Sequence, residues 1–202
     1  MTAAPALILA STSRYRRELL ERLRLPFSVV APGVDEAALP GETPAALARR
    51  LALAKADAVA ALYPHAIVIG SDQTADLDGE SIGKPLTHER ATAQLRSLRG
   101  RRVTFHTAVA AVCAATGLRR DALVPVLVKF RAVSDAEIEV YLRAEQPYDC
   151  AGSAKAEALG IALVEAIESS DPTALVGLPL IRTCELLRAA GLDPLAASPI
   201  LR

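Results

Sequence analysis

The chain has 202 residues, 51% of them hydrophobic, and its 23 basic and 23 acidic residues leave no net charge. That length suits one domain, residues 1–202, or two small lobes sharing a cleft, and the apolar content is ample for a core. A neutral chain lacks the broad basic surface of proteins that hold nucleic-acid polymers, so we expect no such partner.

Cysteine usage and hydropathy favour a cytoplasmic protein. Cys113, Cys150 and Cys184 lie far apart without metal-ligand spacing, which predicts small buried thiols in a reducing compartment. No apolar stretch reaches the ~18 residues of a membrane-spanning helix, and the N-terminus lacks a secretory pattern. We therefore expect neither disulfides, zinc nor a membrane.

The first half of the chain alternates strand and helix signals. Residues 6–10 predict a short strand, followed by Ser11-Thr12-Ser13, where a serine can cap a helix. Thr43-Pro44 predicts a helix start, and the helix should run to about Tyr63. Its apolar face should comprise Leu47, Leu51, Ala54 and Ala58, with Lys55 at the edge of the stripe. Residues 66–70 then predict a buried strand.

The second half of the chain predicts a helix between Thr87 and Gly100, then two antiparallel strands, 103–115 and 123–130, joined by a turn at 115–117. Ser134 to Glu137 fits a helix capping box.

A last helix should open at Pro179 and stop at Gly191, with Ile181, Cys184 and Leu187 facing inward. The whole pattern is typical of an α/β fold with a mixed sheet.

Asp72 is the strongest candidate for chemistry. It follows the apolar run 66–70, where we expect a buried strand to stop and present the carboxylate to a cleft. A capping aspartate is the alternative. Lys84 follows, held between Gly83 and Pro85, although a solvated lysine at a hairpin tip has the same pattern.

The helix start at 11–17 also suggests an anion site. Hydroxyls, free N–H groups and the cations Arg14, Arg16 and Arg17 meet there. Positive charge at a helix N-terminus opposes the dipole, so a bound anion such as a triphosphate would compensate it. An ordinary cap with solvated arginines is the alternative. Phosphate-cradling glycine motifs are absent, so scattered side chains would have to bind phosphate.

Short blocks spread over nearly the whole chain resemble, in order, motifs of the Maf family of nucleoside triphosphate pyrophosphatases. They are 11–20, 34–36, Lys55-Ala56, 69–73, Gly83-Lys84-Pro85, 151–153 and 176–180. The resemblance implies an elongated mixed β-sheet flanked by helices, with two lobes around a cleft as in inosine triphosphate pyrophosphatases, and usually a homodimer. It also implies cleavage of a nucleoside triphosphate to its monophosphate and pyrophosphate.

The resemblance further implies residue roles. Asp72 would accept a proton, and Glu36 with Asp72 would place a divalent cation, Mg²⁺ or Mn²⁺. The phosphate-binding residues would be Ser11, Arg16, Lys55 and Lys84.

Groups of this family that act on different bases differ near three positions, which here are Tyr15, Gln73 and Glu157. The residues at these positions are similar to those of the subgroup that hydrolyses 7-methyl-GTP. Tyr15 would stack on the cationic base, Glu157 would accept hydrogen bonds from guanine, and Gln73 would donate to O6. Alternatives are a dTTP or UTP pyrophosphatase, and a nucleotide-binding regulator of septum formation without turnover.

Overall fold

The computed structural model describes residues 5–196. Its centre is one mixed seven-stranded sheet in the order β2-β1-β3-β5-β6-β7, with β4 paired to β3 off this path. The strands are β1 Leu7–Ala10, β2 Phe27–Val30, β3 Ile67–Leu77, β4 Glu80–Ile82, β5 Arg102–Cys113, β6 Leu118–Phe130 and β7 Val164–Ser169. The helices are α1 Arg14–Glu21, α2 Pro44–Leu62, α3 His88–Leu98, α4 Asp135–Glu145 and α5 Leu180–Ala189.

The strand pairing opens a gap beside β3. Strand β1 runs parallel to β2 and β3, and its pairing with β3 ends where Ala10 meets Gly70. Strand β4 joins β3 only from Ala75 onward. Between these two pairings, residues 71–74 pair with β5 alone among the described strands. The carboxyl ends of β1 and β2 therefore face an open stretch of β3, which is where α/β sheets commonly bind ligands.

Three groups of buried apolar residues cover the sheet. Because successive residues of a strand point to opposite faces, Val68 packs under α2 whereas Ile69 packs under α1 and α5. Farther along the strands, Phe105 and Val126 pack with α3 and α4. The helices thus form two groups, one at each end of the long strands. No helix among residues 5–196 is both long and apolar enough to cross a bilayer.

The predicted caps and turns are confirmed. The hydroxyls of Ser13 and Thr43 accept backbone N–H groups of α1 and α2. Ser134 forms the capping box of α4. A short 3₁₀ helix, Ala114–Thr116, and Gly117 at φ 71° join β5 to β6. These features depend on residues close in sequence, which explains why the sequence reveals them.

The strand predictions need correction at β2, β3, β4 and β7. Strand β3 does not stop at Gly70 but continues to Leu77, so Asp72 lies within the strand, opposite Ala108 of β5. Strands β2, β4 and β7 were not predicted from the sequence, and β2 and β7 are the two ends of the strand order. Strand β7 is largely exposed on both faces and therefore has no alternation of apolar and polar residues to reveal it.

The inward faces of two helices also differ from the prediction. In α2 the buried stripe includes Lys55, whereas Ala54 and Ala58 lie at its margin. In α5 Ile181 is exposed, and the buried residues are Thr183, Leu186 and Leu187. The fully buried Asp171 accepts the N–H groups of Ile181 and Arg182 through Oδ2, which fixes the rotation of α5.

Candidate functional site

A cavity of about 990 Å³ opens at the gap beside β3. Its lining comes from the start of α1, the β2–α2 loop, α2, β3, the β4–α3 loop and the segments 149–157 and 175–177. Every predicted site residue lines it, namely Ser11, Tyr15, Arg16, Glu36, Lys55, Asp72, Gln73, Lys84 and Glu157. The fold therefore brings together residues that are spread over most of the chain.

Lys55 joins the two carboxylates predicted to face the substrate. Its Nζ lies 2.7 Å from Asp72 Oδ1 and 2.6 Å from Glu36 Oε1. Lys55 is 4% exposed and Asp72 7%. A buried lysine that keeps its charge needs such partners, so the arrangement explains how α2 tolerates a cation in its apolar stripe.

A close approach of α2 to β3 makes the Lys55–Asp72 contact possible. A Cβ on Gly70 would lie 2.2 Å from the carbonyl oxygen of Ala52 and 2.7 Å from the nitrogen of Ala56. Only glycine fits at this contact. Gly70 thus lets the helix carrying Lys55 lie directly against the strand carrying Asp72.

Arg16 is oriented by the backbone of a distant loop. Its Nε donates to the carbonyl oxygen of Gly177 at 2.9 Å, and that oxygen also accepts the hydroxyl of Ser71. Burial lowers the pKa of the guanidinium, and the charges of Asp72 and Glu36 oppose this shift. Within residues 5–196 the terminal Nη atoms of Arg16 donate to no protein acceptor, so they are available to an anion.

The carboxyl group of Glu36 lies in a positive electrostatic environment. Partial burial raises the pKa of its carboxyl, but the hydrogen bond and charge of Lys55, then Lys84 and Arg16, outweigh that effect and lower it. Lys84 itself forms no ion pair in the described part of the chain. Ser11, which is buried, accepts the Ser13 N–H through its hydroxyl. This end of the cavity therefore offers cations and a hydroxyl to phosphate oxygens.

Tyr15 and Glu157 also line the cavity. The Arg14 guanidinium lies 4.7 Å from the centroid of the Tyr15 ring and donates to its hydroxyl. Glu157 is exposed in the cavity, and no side chain or backbone group between residues 5 and 196 hydrogen-bonds its carboxylate. An aromatic face and an unpaired acceptor suit a heterocycle that carries N–H donors.

Gln73 is hydrogen-bonded within the protein. Its Nε2 donates toward the Thr107 hydroxyl at 2.8 Å and the carbonyl oxygens of Ala174 and Leu175, both at 3.0 Å. Both amide hydrogens are therefore engaged within the protein. In this arrangement Gln73 holds the 174–175 segment beside the cavity, and its donation to guanine O6 stays a prediction.

Three groups near Glu157 were not predicted from the sequence. Asp149 and Cys150 line the cavity. Lys155 lies behind them, 7% exposed, with Nζ 3.7 Å from Asp149 Oδ1. The sequence signal was a lysine between Ala154 and Ala156, but alone it does not distinguish a buried lysine from a solvated one.

The carboxylates fit a divalent cation only in part. No cluster of three or more His, Cys, Asp or Glu side chains suited to a metal ion occurs among residues 5–196. Glu36 and Asp72 nevertheless both hold one cation, the ammonium of Lys55. Mg²⁺ is commonly bound by one or two carboxylates together with substrate phosphates, so this pair fits a metal that arrives with its substrate.

Comparisons with known proteins show which family the chain matches. A family model described as Maf-like protein matches residues 6–190. A protein of Polaromonas sp. named 7-methyl-GTP pyrophosphatase is 67% identical over 185 residues, 92% of this chain and 84% of that protein. Proteins with the same name from Albidiferax ferrireducens and Bordetella pertussis are 63% and 59% identical, covering 95% and 96% of this chain and 96% and 97% of their own lengths.

Among solved structures, the Ham1 protein of Staphylococcus aureus covers 63% of this chain and 72% of its own, with a TM-score of 0.46 and 17% identity. The fold is therefore described by the strand order given above and not by this similarity. The family model, in contrast, spans nearly the whole chain. The chain therefore belongs to the Maf-like family.

Proposed function

We propose that the protein is a nucleoside triphosphate pyrophosphatase that hydrolyses 7-methyl-GTP to 7-methyl-GMP and pyrophosphate. One observation carries the proposal: the predicted residues line a single cavity in which Lys55 contacts both Asp72 and Glu36. The charges of Lys84 and Arg16 also act on Glu36, and Tyr15 and Glu157 line the same cavity. The curated name shared by the relatives of Polaromonas and Albidiferax supports the choice of substrate.

The cations bind the triphosphate. Arg16 presents its Nη atoms from a guanidinium fixed through Nε, and Lys84 adds an ammonium from the β4–α3 loop. Lys55 contacts both carboxylates and offsets one of their two negative charges. Because charge accumulates on the leaving pyrophosphate during cleavage, these groups stabilise the transition state more than the ground state.

Asp72 accepts the proton of the attacking water. Lys55 hydrogen-bonds Oδ1, so Oδ2 is the oxygen that takes the proton as the water attacks the α-phosphorus. The carboxylate lies within β3, and a rigid strand holds a catalytic group more accurately than a loop does.

Glu36 and Asp72 would hold a divalent cation, Mg²⁺ or Mn²⁺, together with the phosphates. When bound, this cation supplies charge neutralisation at the phosphate oxygens. The positions of the two carboxylates on either side of Lys55 support this part of the proposal.

The methylated base binds at Tyr15 and Glu157. Methylation at N7 makes guanine cationic, and the Tyr15 ring already contacts a planar cation, Arg14. The Glu157 carboxylate accepts the N1–H and exocyclic amine of guanine. A pyrimidine lacks this donor pair, and a partly unpaired carboxylate would disfavour dTTP by about 1–3 kcal/mol.

The alternatives remain a dTTP or UTP pyrophosphatase, and a nucleotide-binding regulator of septum formation that does not turn over. A panel of 7-methyl-GTP, GTP, dTTP and UTP, with pyrophosphate release as the readout, distinguishes them. We expect 7-methyl-GTP to give the highest kcat/KM for the wild type and Glu157→Gln to lose that preference.

Two outcomes would contradict the proposal. Faster cleavage of dTTP or UTP than of 7-methyl-GTP would favour the second enzyme class. Nucleotide binding without pyrophosphate release from any substrate would favour the regulator.

Compartment and assembly are also part of the proposal. All three cysteines are free thiols, which supports a reducing compartment such as the cytoplasm. The expected homodimer rests on the family resemblance, and sedimentation analysis of the purified chain tests it.

A further inference from the structure

Lys155 is a buried charge that the proposed reaction does not use. Its Nζ lies 3.4 Å from the carbonyl oxygen of Glu145 and 3.7 Å from both Glu145 Oε1 and Asp149 Oδ1. Burial lowers the pKa of the ammonium, but Tyr15, Asp149, Cys150 and Glu145 outweigh that effect and raise it. Lys155 is thus a cation next to Asp149, which lines the cavity.

The backbone around Glu157 is tied to α4 on both sides. The N–H of Lys155 donates to the Tyr141 hydroxyl at 3.0 Å, and the N–H of Leu159 donates to Glu145 Oε2 at 3.3 Å. Tyr141 is itself buried in the core beside α3 and α4. Lys155 and Leu159 flank Glu157, so both ends of this short segment depend on the last turns of α4.

Gly160 tightens the same segment. A Cβ at this position would lie 2.5 Å from the carbonyl oxygen of Lys155 and 2.6 Å from its nitrogen. The chain therefore folds back on itself directly after Glu157, and the space beside Lys155 is filled.

Glu157 has no protein partner of its own within residues 5–196, so the direction of its carboxylate depends on the backbone that carries it. We infer that Lys155, held by Tyr141 and Glu145 of α4, is a positioning residue that aims Glu157 at the base and so sets base selectivity. This inference rests on the proposed function. Lys155 acts through the segment 155–159 and through the negative charge of Asp149 and Glu145 that it offsets.

The physical consequence is a selective effect on binding of the base. A carboxylate displaced by about 1 Å loses the geometry of a paired hydrogen bond, whereas the phosphate end keeps its own supports at Gly177 and Asp72. Loss of the Lys155 charge should therefore raise KM for the preferred nucleotide and leave kcat nearly unchanged.

The test is the kinetics of Lys155→Met and Lys155→Arg on 7-methyl-GTP and dTTP. We expect Lys155→Met to raise KM for 7-methyl-GTP by roughly tenfold, with kcat within about twofold and the low dTTP activity unchanged. Lys155→Arg keeps the charge and should restore most of the selectivity. Lys129→Met is the matched control, because Lys129 also donates to a carbonyl oxygen, that of Gly100, but lies outside the cavity.

A double variant isolates the link to Glu157. In the Glu157→Gln background, Lys155→Met should have little further effect on selectivity, because both changes disrupt the hydrogen bonds between Glu157 and the base. If Lys155→Met does not fold, Tyr141→Phe tests the other support of the same segment, since it removes only the hydroxyl that accepts the backbone N–H of Lys155. We then expect KM for 7-methyl-GTP to rise, as in Lys155→Met.

Folded variants of Lys155 or Tyr141 that keep wild-type selectivity would overturn the inference, as would equal losses of kcat on every nucleotide. Failure of the proposed function appears separately, in the wild type. If the wild type prefers another nucleotide, the same variants are measured on that nucleotide, and retention of its preference would again overturn the positioning role.

Discussion

The ammonium of Lys55 lies 2.7 Å from Oδ1 of Asp72, in a contact between α2 and β3 that is almost fully buried. Glu36, from the β2–α2 loop, contacts the same ammonium from the cavity side. The contact therefore links the stability of the helix-sheet packing to the geometry of the candidate base. Several consequences of this link, and of the charges around it, are measurable.

Asp72→Asn should lower kcat by about 10²- to 10⁴-fold, the usual contribution of a general base. The asparagine oxygen still accepts from Lys55, so circular dichroism and thermal unfolding should change little. Pyrophosphate release measures the rate. Asp76→Asn is the control on the same strand, because Asp76 faces His106 and lies outside the cavity. A rate for Asp72→Asn within threefold or so of the wild type would rule out the assigned role.

Gly70→Ala should destabilise the fold and lower activity together. The added methyl would meet the α2 backbone at Ala52 and Ala56, and forced displacement in a packed core costs about 1–3 kcal/mol. Urea unfolding followed by circular dichroism gives the change. Gly83→Ala is the control for stability, since nothing lies within 4 Å of the added methyl. Equal unfolding midpoints for the two variants would contradict the close packing.

Glu42 should contribute to stability in a pH-dependent way. The Arg50 guanidinium and then the Leu39 N–H lower the pKa of its carboxyl to about 2. Its contribution is therefore complete above the unfolded pKa of about 4.5 and is lost as the pH falls through the folded value. The Tm difference between wild type and Glu42→Gln should be constant near neutral pH and shrink below that unfolded value.

Thermal unfolding across this pH series measures the difference, with Glu168→Gln on the exposed strand β7 as control. A Tm difference between wild type and Glu42→Gln that grows on acidification would contradict a lowered pKa of Glu42. Because Arg50 also donates to the Ala37 carbonyl oxygen, the variant should loosen the loop that carries Glu36.

Cys150 should react slowly with iodoacetamide although it lines the cavity. Burial, and then the charge of Asp149, raise the pKa of its thiol to about 12. Its thiolate fraction near neutral pH is then on the order of 10⁻⁵, against several per cent for an ordinary thiol. Mass spectrometry of the native and urea-unfolded protein compares the rates. Alkylation of native Cys150 at the rate of the unfolded chain would refute the prediction.

The sequence by itself determined the features that depend on neighbouring residues. Thr43-Pro44, the Ser134 capping box and Gly117 specify helix starts and a turn through contacts within a few positions. The order of the family blocks also identified nine residues that all line the candidate site, although not Asp149 or Cys150. Helix caps, turns and the order of motifs can be predicted from the sequence because they do not depend on residues distant in the chain.

Tertiary structure alone decided how those residues act. Strand β3 extends past Asp72 because β5 pairs with it, and Lys55 lies inside the core because Gly70 admits α2. Gln73 turns toward Leu175, far away in sequence, and Asp171 sets the rotation of α5. Each outcome depends on a partner brought close only by folding, and the energy of such a contact leaves no local pattern in the sequence.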